Sequence, residues 1–298
     1  MLDSRLVPSI ERFLAWAAVN LAPSTVYGYR LYLTRFAAAV GNVPLEELAP
    51  ATLTTFSRKF HPIQAVQRLV AWCHKEERSL ERNPLEGMAK VAGGSRQRVL
   101  IAPDVCRMIR STDRFFRALL LALKETYARP QEMRAVRPAD IRAAGGAAAA
   151  AAELLAGGAF FELGEGKGFK RRRDRLATRI IPISPRLGRL LVRLLSAGPA
   201  HDEPIFRNSR GRPWTANAVR CRLRRLRVTL NLGVDRRGER VVAYTLRHTG
   251  ATAAARAGLR DWTLAAVLGH ASTRTTARYV HLQATDVISA MQRLWAKK

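Results

Sequence analysis

Apolar residues recur at helical spacing along most of this chain, and only two short runs look like strands. Ile10, Phe13, Leu14 and Ala17 line one face of a segment from Pro8 to Ala18, with Pro8 suited to a helix start. Pro23-Ser24-Thr25 opens a second helix, with Ser24 as its expected N-cap; Val26, Tyr29, Leu33 and Phe36 form its apolar face and Gly41 its stop. The spacing predicts a third helix from Pro50 to Phe60. A fourth, from Ile63 to about Arg78, buries Val66, Leu69 and Val70. Asn83-Pro84-Leu85 and Gly93-Gly94-Ser95 then interrupt the pattern. A chain of 298 residues is long enough for two separate cores. The expected organisation is a helical domain over 1–92, a linker over 93–100 and a second domain over 101–298.

The second domain is mixed. Helices are expected at 103–111, 113–126, after Pro130, and at about 185–196, 215–230, 246–257, 262–268 and 284–296. The run Phe160-Phe161-Glu162-Leu163 and the run Thr178-Arg179-Ile180-Ile181-Pro182-Ile183 are strand-like, with the charged turn GEGKGFKRRRDR between them. The whole is mainly α with a small β-sheet. Residues 143–161 are rich in alanine and glycine and uncharged apart from Glu153. Such residues supply too little transfer free energy for a membrane span, so the stretch reads as an insertion in a loop or hairpin, helical for a turn or two at most.

Charge narrows the partner. The chain holds 51 Lys+Arg against 23 Asp+Glu, a net +28. Up to residue 95 the balance is 11 against 8; beyond it, 40 against 15. A field of one sign on this scale exceeds what solubility needs and attracts polyanions, nucleic acid first among them. Cys73, Cys106 and Cys221 are isolated, which suits buried thiols in a reducing compartment better than disulfides or a zinc site. The N-terminal segment has acidic residues and no apolar core of the secretory kind. A cytoplasmic protein is expected.

The candidate chemistry is spread along the second domain. Arg129 sits in Thr126-Tyr127-Ala128-Arg129-Pro130-Gln131-Glu132. Lys167 lies between two glycines, which lets backbone approach a ligand closely, and Lys170, Arg171, Arg172 and Arg173 follow it. These last four read most simply as a solvated basic hairpin touching phosphates. Arg247 falls in Tyr244-Thr245-Leu246-Arg247-His248-Thr249, His270 in Leu268-Gly269-His270, and Tyr279 in Thr275-Thr276-Ala277-Arg278-Tyr279-Val280-His281. Singly, each has a plainer reading: a surface arginine, a capping histidine, a tyrosine packed in a core.

In this order the motifs TYARPQEM, GKGFKRRR with RIIPIS, LRHTGAT and LGHASTRTTARYVH resemble those of the tyrosine recombinase (phage integrase) family. The resemblance extends over nearly the whole chain. It implies a helical, SAM-like core-binding domain followed by an α+β catalytic domain in a Xer-like arrangement, closing as a C-shaped clamp on duplex DNA. It further implies that Arg129 and Arg247 grip the scissile phosphate, that Tyr279 is the nucleophile of a 3′-phosphotyrosine bond, that Lys167 protonates the leaving 5′-oxygen and that His270 hydrogen-bonds the phosphate. No metal or other cofactor is implied, because guanidinium groups neutralise the developing charge and form paired hydrogen bonds to phosphate oxygens. Four protomers on two DNA sites are implied too, with the C-terminal helix passing to a neighbour and accessory proteins possible. Phosphate contacts fall to the hairpin cations and to the run Arg220, Arg222, Arg224, Arg225 and Arg227, of which Arg222 and Arg225 are the best placed; one helix cannot aim all five at one groove.

The family usually carries histidine where this chain has Tyr244, three residues before Arg247. A phenol, with an ordinary pKa of about 10, donates a hydrogen bond but does not shuttle protons near neutrality as imidazole does. Tyr244 is expected to occupy the site with activity retained. Glu132 is expected to orient the Arg129 turn, and His248 to be a buried helper. Lys170 replaces Lys167 if the hairpin register shifts. The leading function is a DNA-cleaving and rejoining recombinase, an integrase of a mobile element; the alternative is a related DNA-binding regulator without catalysis. A metal-dependent nuclease ranks last, since His201-Asp202-Glu203 is one cluster without a partner.

Overall fold

The computed structural model describes residues 3–89, 97–143, 145–146, 150–164, 179–196 and 198–270. It divides into a unit from Met1 to Ser95 and a unit from Arg96 to Lys298.

The first unit contains α1 (Leu6–Asn20), α2 (Pro23–Val40), α3 (Pro50–Phe56) and α4 (Phe60–Lys75). Phe13, Phe36, Leu69, Val70 and Trp72 lie at its centre, where Phe13 meets Trp72 edge-on at 5.5 Å. Local signals misplace several boundaries. α1 starts two residues before Pro8, because the Leu6 N–H donates to Val43 O and Arg5 bridges Pro44. Ser24 is not a cap; Ala22 holds that position and Pro23 begins α2 with no side-chain cap. α3 ends at Phe56 because Ser57 turns extended, and α4 then starts at Phe60 rather than Ile63. It closes at Lys75 rather than near Arg78, which itself adopts the left-handed conformation at φ 59°. Arg12 of α1 pairs with Glu77 at 2.5 Å, fastening α1 to the end of α4.

The second unit begins with α5 (Ala102–Arg110), α6 (Arg114–Thr126) and α7 (Pro130–Ala135). Asp113 caps α6 through Phe115 N–H and Phe116 N–H. The sheet is antiparallel in the order β1 (Ile141–Ala143), β2 (Ala159–Leu163), β3 (Arg179–Pro182), with Phe161 opposite both Ile141 and Ile181. β1 is three residues long, too short for its alternation to register in the sequence. Between β1 and β2 lies α8 (Ala150–Ala156), a helix of two turns within the alanine-rich stretch, as the composition allows. It is more than a loop filler: Leu154 is buried, and α8 packs closely on α9 (Pro185–Ser196) at Gly188. α10 (Ala216–Thr229), α11 (Ala243–Arg256) and α12 (Asp261–Leu268) follow. α11 begins three residues earlier than the sequence suggests, so Tyr244 lies on its first turn. The expected helix over 284–296 falls outside the described residues. Phe116, Leu119, Phe161, Ile181, Leu187 and Leu246 belong to one continuous core. Among the described residues, no helix is long and apolar enough to cross a membrane.

Candidate active site

Four elements deliver the site. The α6–α7 turn carries Arg129, β3 carries Arg179, α11 carries Tyr244, Arg247 and His248, and the end of α12 leads into His270. At the first of these, Tyr127 adopts the left-handed conformation at φ 51° and ends α6. Arg129 then precedes α7, whose Glu132 accepts the Arg129 backbone N–H at 2.7 Å. Gly250 lets α11 lie against this turn, since a Cβ there would come within 2.2 Å of the Tyr127 ring.

α12 organises the cations through its C-terminus. The last carbonyls of a helix have no partner within it and form the negative end of its dipole. Here three consecutive ones each accept from a different arginine. Val267 O accepts from Arg179 Nε at 2.9 Å and Nη2 at 2.6 Å. Leu268 O accepts from Arg247 Nη2 at 2.6 Å, and Gly269 O from Arg129 Nη2 at 2.9 Å. Gly269 caps the helix at φ 64°. Arg247 also donates to Tyr127 O at 2.7 Å and lies 3.2 Å from His270 Nε2, which brings two of the expected phosphate ligands together. Arg247 has no exposed surface at all.

Glu132 joins the cluster from α7. Its Oε1 accepts from Arg129 Nη1 at 2.7 Å, and its Oε2 accepts from Arg179 Nη1 at 2.5 Å. Burial opposes the charge on Glu132, but the Arg179 charge and the Arg129 hydrogen bonds outweigh it and hold the carboxyl below its ordinary value. Burial likewise pushes Arg179 down to about 10, with Glu132 pulling the other way, so the guanidinium remains charged at neutral pH. A carboxyl depressed in the folded state stabilises the fold above its unfolded value and ceases to do so as pH falls through the folded value. The thermal midpoint of the wild type should therefore hold above the ordinary value of 4.5 and decline below it, and Glu132→Gln should flatten that decline. A melting series across the acid range checks this; an equally steep decline in the variant would contradict it.

Tyr244 is half-buried. The Arg247 guanidinium carbon lies 5.7 Å from the centre of its ring, and His248, buried, packs beside it at 5.2 Å. The expected role of Glu132 in orienting the Arg129 turn matches its contacts. Arg179 was not singled out by sequence reasoning. In the structure Arg179 shares the inward face of β3 with Ile181 and is buried like it, but in the sequence it follows so many cations that it reads as one more surface charge. Arg222 and Arg225 separate. Arg225 is exposed, whereas Arg222 is half-buried, paired with Asp113 and set over the Phe116 ring at 5.9 Å. Within the same run Arg220 and Arg224 are exposed, and Arg227 donates to Val241 O at 2.8 Å. Lys167, Lys170, Arg171, Arg172, Arg173 and Tyr279 lie outside the described residues. Among the described residues, no group of three His, Cys, Asp or Glu side chains is placed to hold a metal ion.

Arg129, Arg179, Arg247 and His270 thus gather at the end of α12, in a helical unit with one small sheet. The model of the phage integrase family matches residues 104–286, more than half of the chain. The chain belongs to the phage integrase family, the tyrosine recombinases. Solved structures share the fold. The Tn1549 transposon integrase in complex with circular intermediate DNA superposes with a TM-score of 0.70 at 16% identity, covering 97% of this chain and 99% of that one. A lambda integrase dimer bound to a core site gives 0.69 at 14% identity, over 92% and 77%. XerA recombinase gives 0.50 at 19%, over 96% and 97%. No match was found among curated protein sequences.

Proposed function

We propose that this chain is a site-specific recombinase that cleaves and rejoins duplex DNA through a 3′-phosphotyrosine bond made by Tyr279, as the integrase of a mobile element. The convergence of Arg129, Arg247 and His270 at the end of α12 carries this reading. The Tyr279 phenolate oxygen attacks phosphorus, the bond from phosphorus to the 5′-oxygen breaks, and Lys167 gives that oxygen its proton. The arginines stabilise the charge that builds on the non-bridging oxygens. Attack by a 5′-hydroxyl of the second DNA reverses the sequence and releases the tyrosine, so bond energy is conserved without ATP or a metal. Tyr244 supports Arg247 through its ring face rather than by proton transfer, which keeps activity in place of the usual histidine. The lambda integrase tetramer bound to a Holliday junction supports four protomers acting on two sites. Arg225 and the hairpin cations Lys170, Arg171, Arg172 and Arg173 hold the duplex, and binding falls steeply with salt. The site of action is the cytoplasm.

Incubation with nicked duplex carrying the element's own site should give a protein–DNA adduct that survives SDS. Tyr279→Phe should give none. An adduct persisting in that variant overturns the nucleophile, and tight binding by the wild type without any adduct favours the regulator.

A further inference from the structure

Arg179 has no part in the reaction above, yet it is the more deeply buried of the two guanidiniums that share Glu132: its side chain is 2% exposed against 20% for Arg129. Each of its three side-chain nitrogens is engaged, Nε and Nη2 by Val267 O and Nη1 by Glu132. Gly269 makes room for this, because a Cβ there would stand 2.7 Å from Arg179 Cδ. So placed, Arg179 directs all three side-chain nitrogens to groups of the protein.

Its charge matters nonetheless. Glu132 holds Arg129 twice, by the backbone N–H and by Nη1. Paired with Arg129 alone, that carboxylate would form a neutral couple and would repel an incoming phosphate at nearly the range over which Arg129 attracts it. A second guanidinium on the same carboxylate leaves the trio with a net positive charge. We propose that Arg179 is a positioning residue that compensates Glu132, so that Glu132 fixes Arg129 in place without neutralising it toward the phosphate. This rests on the reading of Arg129 as a phosphate ligand.

Single-turnover adduct formation by the full chain tests it, with the rate constant, the final amplitude and the duplex Kd measured separately. Arg179→Met should lower the rate constant about 100-fold, with amplitude and Kd within about threefold of wild type. Adding Glu132→Gln removes the uncompensated carboxylate while keeping an acceptor, and should recover about tenfold of that loss. A loss of amplitude at unchanged rate constant means that Arg179 only supports folding and overturns the proposal, as does a double variant no faster than Arg179→Met. If the wild type itself forms no adduct, the functional reading fails separately. The same three proteins are then compared for inorganic phosphate affinity by calorimetry. Binding about tenfold weaker in Arg179→Met and restored in the double variant supports compensation; equal affinities overturn it.

Discussion

Arg247→Lys should slow adduct formation by about 1000-fold, the upper end of what loss of one preorganised donor costs an anionic transition state. The guanidinium spans Tyr127 O, Leu268 O and His270 Nε2 from a fully buried position. A lysine has one nitrogen on a flexible stem and cannot hold the α6–α7 turn and the end of α12 together while facing a phosphate. The variant should also melt at lower temperature, because a buried carbonyl left without its donor costs about 1–3 kcal/mol. Single-turnover kinetics on nicked duplex, with melting run alongside, separate the two effects. A rate within about tenfold of wild type would remove Arg247 from the phosphate site.

The second large effect is on stability. Gly188 lies on α9, where an added Cβ would fall 1.5 Å from Leu154 O and 2.5 Å from Leu154 C. Those are backbone atoms of α8, so no rotamer change relieves the overlap. Alanine in place of a helical glycine normally gains about 1 kcal/mol. Forcing α8 off α9 costs about 3 kcal/mol, so the clash decides the sign. Gly188→Ala should therefore lower the calorimetric transition of the second unit and leave that of the first unchanged. A midpoint equal to or above wild type would show that α8 is free to move away.

Much of this was legible in the residues. Helical spacing marks α1 to α4, and the strand-like runs Phe160-Phe161-Glu162-Leu163 and Thr178-Arg179-Ile180-Ile181-Pro182-Ile183 mark β2 and β3. The motifs that hold Arg129, Arg247 and His270 carry the family resemblance, and the excess positive charge beyond residue 95 is concentrated in the part that holds them. Such signals are local, or depend on residue type and order alone.

What the sequence could not state depends on contacts between distant segments. The start of α1 is set by Val43, 37 residues beyond Leu6. Gly188 reads as a weak point in a helix until α8 is laid against it. The pairing of Arg222 with Asp113 is not visible in either local segment. Arg179 and Arg129, far apart in sequence, meet on one carboxylate, and three successive carbonyls at the end of α12, the last of them on its cap Gly269, each take an arginine. A carbonyl is present at every residue and carries no sequence signal. Only the fold decides which carbonyls end a helix, lack a partner within it and face a guanidinium, because those partners arrive from other elements.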